Sequence, residues 1–230
     1  MTINTLLKYF LLFIMYAHLG WLMEVVLTLF TEKKLINRGF LIGPVCPIYG
    51  VGLLLIITLL KEYSTRPLVL FTLVIAICMI LEYVTSYLME KLFHARWWDY
   101  SQMKYNLNGR ICLETTIPFG LGGLFVIYIV NPLFERLLSI INPQVMTIIA
   151  ILIFIIFIID IIISFSVISK MKNFFVKKYQ DNTEVMSNRV REYLTKLSPL
   201  TKRLLDSFPN IRVKINDVTT KIKNTVQRIK

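Results

Sequence analysis

The sequence predicts an all-α fold: a polytopic membrane helix bundle of about five transmembrane helices with a basic amphipathic cytoplasmic tail. Three observations predict it. Of the 230 residues, 56% are hydrophobic, with a mean hydropathy of +0.64, whereas ordinary soluble domains are about 45–50% apolar. The excess lies in runs of roughly 20 residues or more, the length that crosses a bilayer. The net charge of +12 is also unevenly placed: residues 1–169 carry 11 basic and 9 acidic side chains, and residues 170–230 carry 15 basic and 5 acidic. The chain therefore divides into a nearly neutral transmembrane bundle, 1–169, and a basic tail, 170–230.

The first run, Thr5–Phe30, contains Lys8 and Glu24 and no small-residue cleavage site, so it reads as a retained span. Further spans follow at Phe40–Leu60, Pro67–Phe93, Ile111–Val130 and Pro143–Ser169. Pro67 and Pro143 suit helix starts, where a missing N–H costs nothing. Orientation follows from Lys and Arg in the short links. The first link has Lys33, Lys34 and Arg38, and the third has Arg96, Lys104 and Arg110. The second has only Lys61 and Arg66, and the fourth only Arg136. Five spans put the first link, the third link and the tail on one side, which gives an outside N-terminus and a cytoplasmic C-terminus.

In the tail, Val190, Leu194 and Leu197 recur at helical spacing, as do Val218, Ile222, Val226 and Ile229, with Lys and Arg between them. This pattern suits helices on the anionic inner leaflet or packed under the bundle. Docking to a soluble partner is the alternative. A basic stretch beside a membrane span meets lipid headgroups rather than nucleic acid. Cys46, Cys78 and Cys112 lie in apolar segments with no CxxC or Cys/His spacing, so they read as packing residues, and no metal or other cofactor is expected.

The second span is unusual. Asn37–Gly52 holds Gly39, Gly43, Gly50 and Gly52 with Pro44 and Pro47. Each proline removes a backbone donor and frees a carbonyl, at Phe40 and Gly43. Irregular backbone at membrane depth survives where it is buried in protein or lines a cavity. A broken or re-entrant start is one reading, with Tyr49 pointing into it; a kinked but continuous helix is the other. Gly39 and Gly43 also form a small-xxx-small pair that allows close helix approach. Pro118, Gly120, Gly122 and Gly123 mark the fourth span as a second weakened helix.

The charged side chains gather toward the cytoplasmic half. Glu24 lies about 9 Å from the end of its span, and Glu82 and Asp160 about 15 Å from theirs. Glu114 opens the fourth span, and Arg38 and Arg110 come in from the same side. An unpaired charge at mid-membrane costs about 2.5–3.5 kcal/mol. These groups must therefore pair, protonate or line a wet cavity. One outcome is stapling, Arg38 to Glu24 and Arg110 to Glu114. The other is a polar pocket built from Glu24, Arg38, Tyr49, Glu82, Trp97, Trp98, Asp99, Arg110 and Glu114. Trp97, Trp98 and Tyr100 also suit an interfacial aromatic belt. Asp99 with Ser101 suits a local turn, and Asn108-Gly109 suits a tight turn that aims Arg110 at the bundle.

Four stretches together carry a family resemblance: Trp21-x-x-Glu24, Asn37-Arg-Gly-Phe-Leu-x-Gly-Pro-x-Cys-Pro-Ile-Tyr-Gly50, Trp97-Trp-Asp-Tyr-Ser101 and Asn108-Gly-Arg-x-Cys-Leu-Glu114; the tail piece Arg203-Leu-Leu-Asp-Ser-Phe-Pro209 also looks like that family's C-terminal region. The chain resembles a bacterial membrane family described as putative ABC-transporter type IV, or CmpB-like permeases. The resemblance spans roughly residues 15–125. It implies a multi-pass protein of the bacterial inner membrane with a permease-like role. No G-x-x-x-x-G-K-[ST] phosphate loop occurs in the sequence, so ATP hydrolysis would fall to a separate ATPase chain. Five spans are few for a translocation path, so a homodimer or hetero-oligomer is expected. Two other readings stay open. One is a membrane-embedded lipid-headgroup enzyme, although no catalytic triad or metal cluster is legible. The other is a scaffold or assembly factor.

Overall fold

The computed structural model describes residues 2–93, 95–178, 198–207 and 212–213. The periodic tail positions Val190, Leu194, Leu197, Val218, Ile222, Val226 and Ile229 lie outside the described residues. The helices are α1 (Ile3–Glu32), α2 (Pro47–Leu59), α3 (Pro67–Phe93), α4 (Leu113–Phe125), α5 (Asn131–Ile140), α6 (Pro143–Lys178) and α7 (Pro199–Ser207). Short strands β1 (Ala95–Arg96), β2 (Asn106–Leu107), β3 (Ile111–Cys112) and β4 (Arg212–Val213) complete the order. Among the described residues, four stretches are long and apolar enough to cross a membrane: α1, α3, the continuous Leu113–Ile140 and Pro143–Ser169 of α6.

The second span is not one helix. Residues 37–46 are extended and bent, and Pro47 opens α2 at a position that needs no N–H. At 13 residues, α2 covers only about 20 Å, short of a hydrocarbon core of roughly 30 Å. The proline rings explain the break, since each would clash with the carbonyl four residues back in a helix. Freed backbone groups find other partners: Gly43 O accepts from Val45 N at 2.9 Å, and Ala17 O in α1 accepts from Cys46 N at 2.9 Å. The 37–46 segment and α2 thus run back along α1. Gly39 and Gly43 fall in the non-helical part and form no helix–helix seam.

The fourth span also differs from expectation. It continues past Val130, through the expected link, to Ile140. A π-turn at Val126–Val130 carries it there, with Asn131 N–H bonded to Val126 O. This wider turn absorbs Pro132, which cannot donate to Tyr128. Pro118 does not break α4, and Gly120 and Gly123 serve packing. A Cβ at Gly120 would stand 2.5 Å from the Phe71 ring, and one at Gly123 would strike Val74. Glycine there lets α3 and α4 lie close, the main source of attraction between helices in lipid.

Two apolar clusters fill the bundle. Leu11, Leu12 and Tyr16 of α1 meet Val126, Val130, Leu138, Met146 and Ala150. Ile56 and Leu60 meet Leu70 and Val74 of α3. Tyr16 also donates to Asn131 Oδ1 at 2.7 Å, and Lys8 pairs with Glu135. These contacts fix α1 against α5.

The segment after α3 folds back as a hairpin. β2 pairs with β3 in antiparallel register, Asn106 opposite Cys112. The turn residues Asn108 and Gly109 have φ of 54° and 66°, left-handed backbone that asparagine and glycine tolerate, in a turn closed by Arg110 N–H on Leu107 O at 3.0 Å. β1 pairs with β4 of the tail, Ala95 opposite Val213.

Candidate functional site

The motif-bearing stretches meet one another in space. Trp21 Nε1 donates to Asn37 Oδ1 at 2.8 Å, and Tyr49 Oη donates to Glu24 Oε1 at 2.5 Å. Each residue of the α1 pair therefore meets one of the 37–50 stretch. Trp98 Nε1 donates to Arg110 O at 3.0 Å, and Tyr100 N to Gly109 O at 2.8 Å. The 97–101 stretch is thus held by the 108–110 turn. From the tail, Ser207 Oγ donates to Asn37 O, and Arg203 Nη2 donates to Gly39 O at 3.3 Å.

The 37–46 segment is fastened on several sides. Asn37 accepts from Gly39 N at 3.0 Å and donates to Ile42 O at 3.0 Å, closing a local knot. Asp160 of α6 accepts from Ile42 N at 3.0 Å and from Gly43 N at 3.1 Å. Ser164, one turn on, also accepts from Ile42 N at 3.0 Å. Phe40 packs between Phe93, Trp97 and Phe165, with centroids 5.2–5.7 Å away. Asp160 is thus spent on backbone that cannot form helix, a use that its sequence position gave no sign of.

A second group joins four segments. Glu82 of α3 is 8% exposed and accepts from Tyr100 Oη at 3.0 Å. Glu24 and Tyr49 lie close enough that the field of Glu24 reaches Glu82 and Tyr100. Tyr49 itself rests on Gly20, where any side chain would collide with its ring. Burial, and then the neighbouring Glu82 carboxylate, push the ionisation of the Tyr100 phenol well above its ordinary range. The Tyr100 phenol therefore stays a protonated donor. Among the described residues, neither Glu24 nor Glu82 has an ion-pair partner.

A third group lies at the end of α3. Glu82, Ser86 and Glu90 recur every fourth residue and form one buried polar stripe. Arg110 reaches Glu90 Oε2 at 2.8 Å and Ser86 Oγ at 3.1 Å. Its guanidinium also lies over the rings of Tyr83 and Tyr87, at 5.7 and 5.6 Å. Arg96 shares Glu90 Oε2 at 3.2 Å and faces Asp99 Oδ1 at 3.6 Å. Asp99 also accepts from Ser101 N at 2.9 Å, the local turn expected for it. Among the described residues, two arginines balance two carboxylates in this group.

The expected residues therefore separate. Glu24, Tyr49 and Glu82 come together, and Tyr100, expected in the aromatic belt, joins them. Arg110 and Asp99 belong to the balanced network, with Arg96, Glu90 and Ser86 as members not foreseen. The two stapling pairs do not form. Arg38 pairs with Glu32 at 2.8 Å, its nearer neighbour at the end of α1, and Glu24 accepts from Tyr49 instead. Glu114 stands exposed in the first turn of α4, where a carboxylate suits the positive helix end. Trp97 is not a belt residue. It is 4% exposed and wedges into Phe40 and Phe93. The repeated i, i+4 polar positions of α3 were the signal for Glu90 and Ser86.

No curated protein and no solved structure matches the chain. A family model described as "Putative ABC-transporter type IV" matches residues 11–165. That range covers the bundle, the broken second span and all three polar groups, and it stops short of α7. With its long apolar helices, this membrane protein belongs to the putative ABC-transporter type IV family.

Proposed function

We propose that the chain is the membrane-spanning, permease-like component of a transport system in a bacterial inner membrane. Its polar centre is the Glu24–Tyr49–Glu82–Tyr100 group, open to the cytoplasm, with the N-terminus outside. One observation carries this reading. A carboxylate on each of two membrane helices accepts from a tyrosine hydroxyl, Glu24 from Tyr49 and Glu82 from Tyr100, with no lysine or arginine in ion-pair reach among the described residues. Such groups are costly in a bilayer and mark pathways by default. The Arg110 network is internally paired, so its role is to hold the hairpin that carries Tyr100. ATP hydrolysis falls to a separate chain, and a second copy or another subunit completes the path.

The test is a deletion strain, compared with wild type for solute accumulation and for lipid headgroup content. Transport predicts altered accumulation of a solute with unchanged headgroups. Complementation with Glu24→Gln or Glu82→Gln should then fail while membrane abundance stays near wild type. Full rescue by both variants would overturn the assignment. A changed headgroup profile with unchanged solutes would favour lipid chemistry instead.

A further inference from the structure

The tail helix α7 makes an incomplete dock. Leu204, Leu205, Thr201 and Ser207 are buried, while Lys202 and Asp206 face outward. This apolar face seats the helix under the bundle. Its polar contacts with the bundle fall on the broken segment: Ser207, whose one hydroxyl proton is shared between Asn37 O and Arg203 O of its own helix, and Arg203 on Gly39 O. Arg203 gains little from them. Its Nε and Nη1 are shut away from solvent and have no hydrogen-bond partner among the described residues. Asp160 exerts a field on this guanidinium, but the Asp160 carboxylate is engaged by Ile42 N and Gly43 N. Buried donors without acceptors penalise the state that holds them. Apolar burial and the Ser207 bond hold α7 down, and the stranded guanidinium works against them. These opposing terms make a two-state element.

We propose that α7 is a releasable latch on the 37–46 segment, and that a phosphate anion opens it by capturing Arg203. A phosphate accepts from forked guanidinium donors together, which Gly39 O cannot do. Because Nε and Nη1 are closed off in the docked helix, the anion satisfies them only after α7 has lifted. Binding therefore draws the equilibrium toward release. Release uncovers the carbonyls of Asn37 and Gly39 beside the segment that Asp160 anchors. The phosphate comes from an anionic lipid headgroup or from a free phosphate in solution. This inference does not depend on the role assigned to Glu24 and Glu82.

The test is amide hydrogen exchange on the full chain in nanodiscs, read over residues 37–43 and 199–207. Three conditions are compared: phosphatidylcholine alone, phosphatidylcholine with inorganic phosphate, and phosphatidylcholine mixed with phosphatidylglycerol. Exchange in both segments should rise together by about tenfold in at least one anionic condition. A rise with phosphatidylglycerol alone assigns the lipid headgroup, and a rise with inorganic phosphate assigns the free ion. Arg203→Lys keeps the charge without the fork and should lose the response. Lys202→Gln, on the exposed side, should keep it. Ser207→Ala should exchange faster under all three conditions. No rise with either anion overturns the latch. So does an Arg203→Lys response equal to wild type, or a Lys202→Gln loss as large as that of Arg203→Lys.

Discussion

Both carboxylate oxygens of Asp160 accept from the backbone N–H of Gly43, each at 3.1 Å. A side chain deep in one membrane helix thus holds a residue where another helix cannot form. The rest of the broken segment is arranged around this contact: Ile42 N shares the same carboxylate, Phe40 lies in an aromatic nest on one side, and α7 closes over the other.

Gly43→Ala is expected to displace the segment. Its Cβ would stand 2.7 Å from Asp160 Oδ2, and overpacking of this kind costs about 1–3 kcal/mol. Gly122→Ala is the control, because nothing lies within 4 Å of a Cβ there. Thermal unfolding in detergent should fall for the first and stay near wild type for the second. Equal values for both would contradict the Asp160 contact.

Asp160→Ala strands the N–H groups of Ile42 and Gly43, although Ser164 remains for Ile42. A buried donor left without its partner costs about 1–3 kcal/mol. Exchange over residues 37–46 should quicken while α3 and α4 keep their protection. Asp160→Asn retains one acceptor oxygen and should fall between alanine and wild type. Uniform loss of protection throughout the bundle would mean that Asp160 supports more than this segment.

Arg110→Met removes the closer of the two arginines that pair with Glu90 in a buried site. Breaking one partner of such a pair costs about 3–5 kcal/mol. Adding Glu90→Gln should recover part of the loss, and a double-mutant cycle measures the coupling. Arg110→Lys should also destabilise, because an ammonium cannot reach Ser86 and Glu90 while lying over two tyrosine rings. Strictly additive effects of the Arg110 and Glu90 substitutions would deny the pair.

Tyr100 gives a pH dependence. Its folded-state ionisation lies above the ordinary tyrosine value of about 10. The stability it contributes is therefore complete below about pH 10 and is lost as pH rises from there toward the folded-state value. Wild type should unfold at a higher temperature than Tyr100→Phe at about pH 8, and the gap should narrow above about pH 10. A constant gap to about pH 11.5 would mean that the phenol is not held against Glu82.

Length and hydropathy alone settled that this chain is a bundle of membrane helices, because a hydrocarbon layer demands long apolar helices and tolerates little else. Pro44 and Pro47 marked the second span as irregular, but whether it broke or only kinked was decided by packing, since Pro118 sits inside α4 without breaking it. The Asn108-Gly109 turn was readable for a local reason. Partnership was not local. Which carboxylate faces which arginine depends on helix rotation. So Tyr49 took Glu24, Arg38 paired with Glu32, and Arg110 found Glu90 instead of Glu114. Asp160 is the clearest case. In sequence it is a lone acid in an apolar run, and only packing turns it into the acceptor for a neighbouring backbone. The amino-acid order determined that polar groups inside the membrane must be satisfied, and the tertiary structure decided by which partners, because hydrogen bonds act over about 3 Å while the residues that make them lie up to 170 positions apart in the chain.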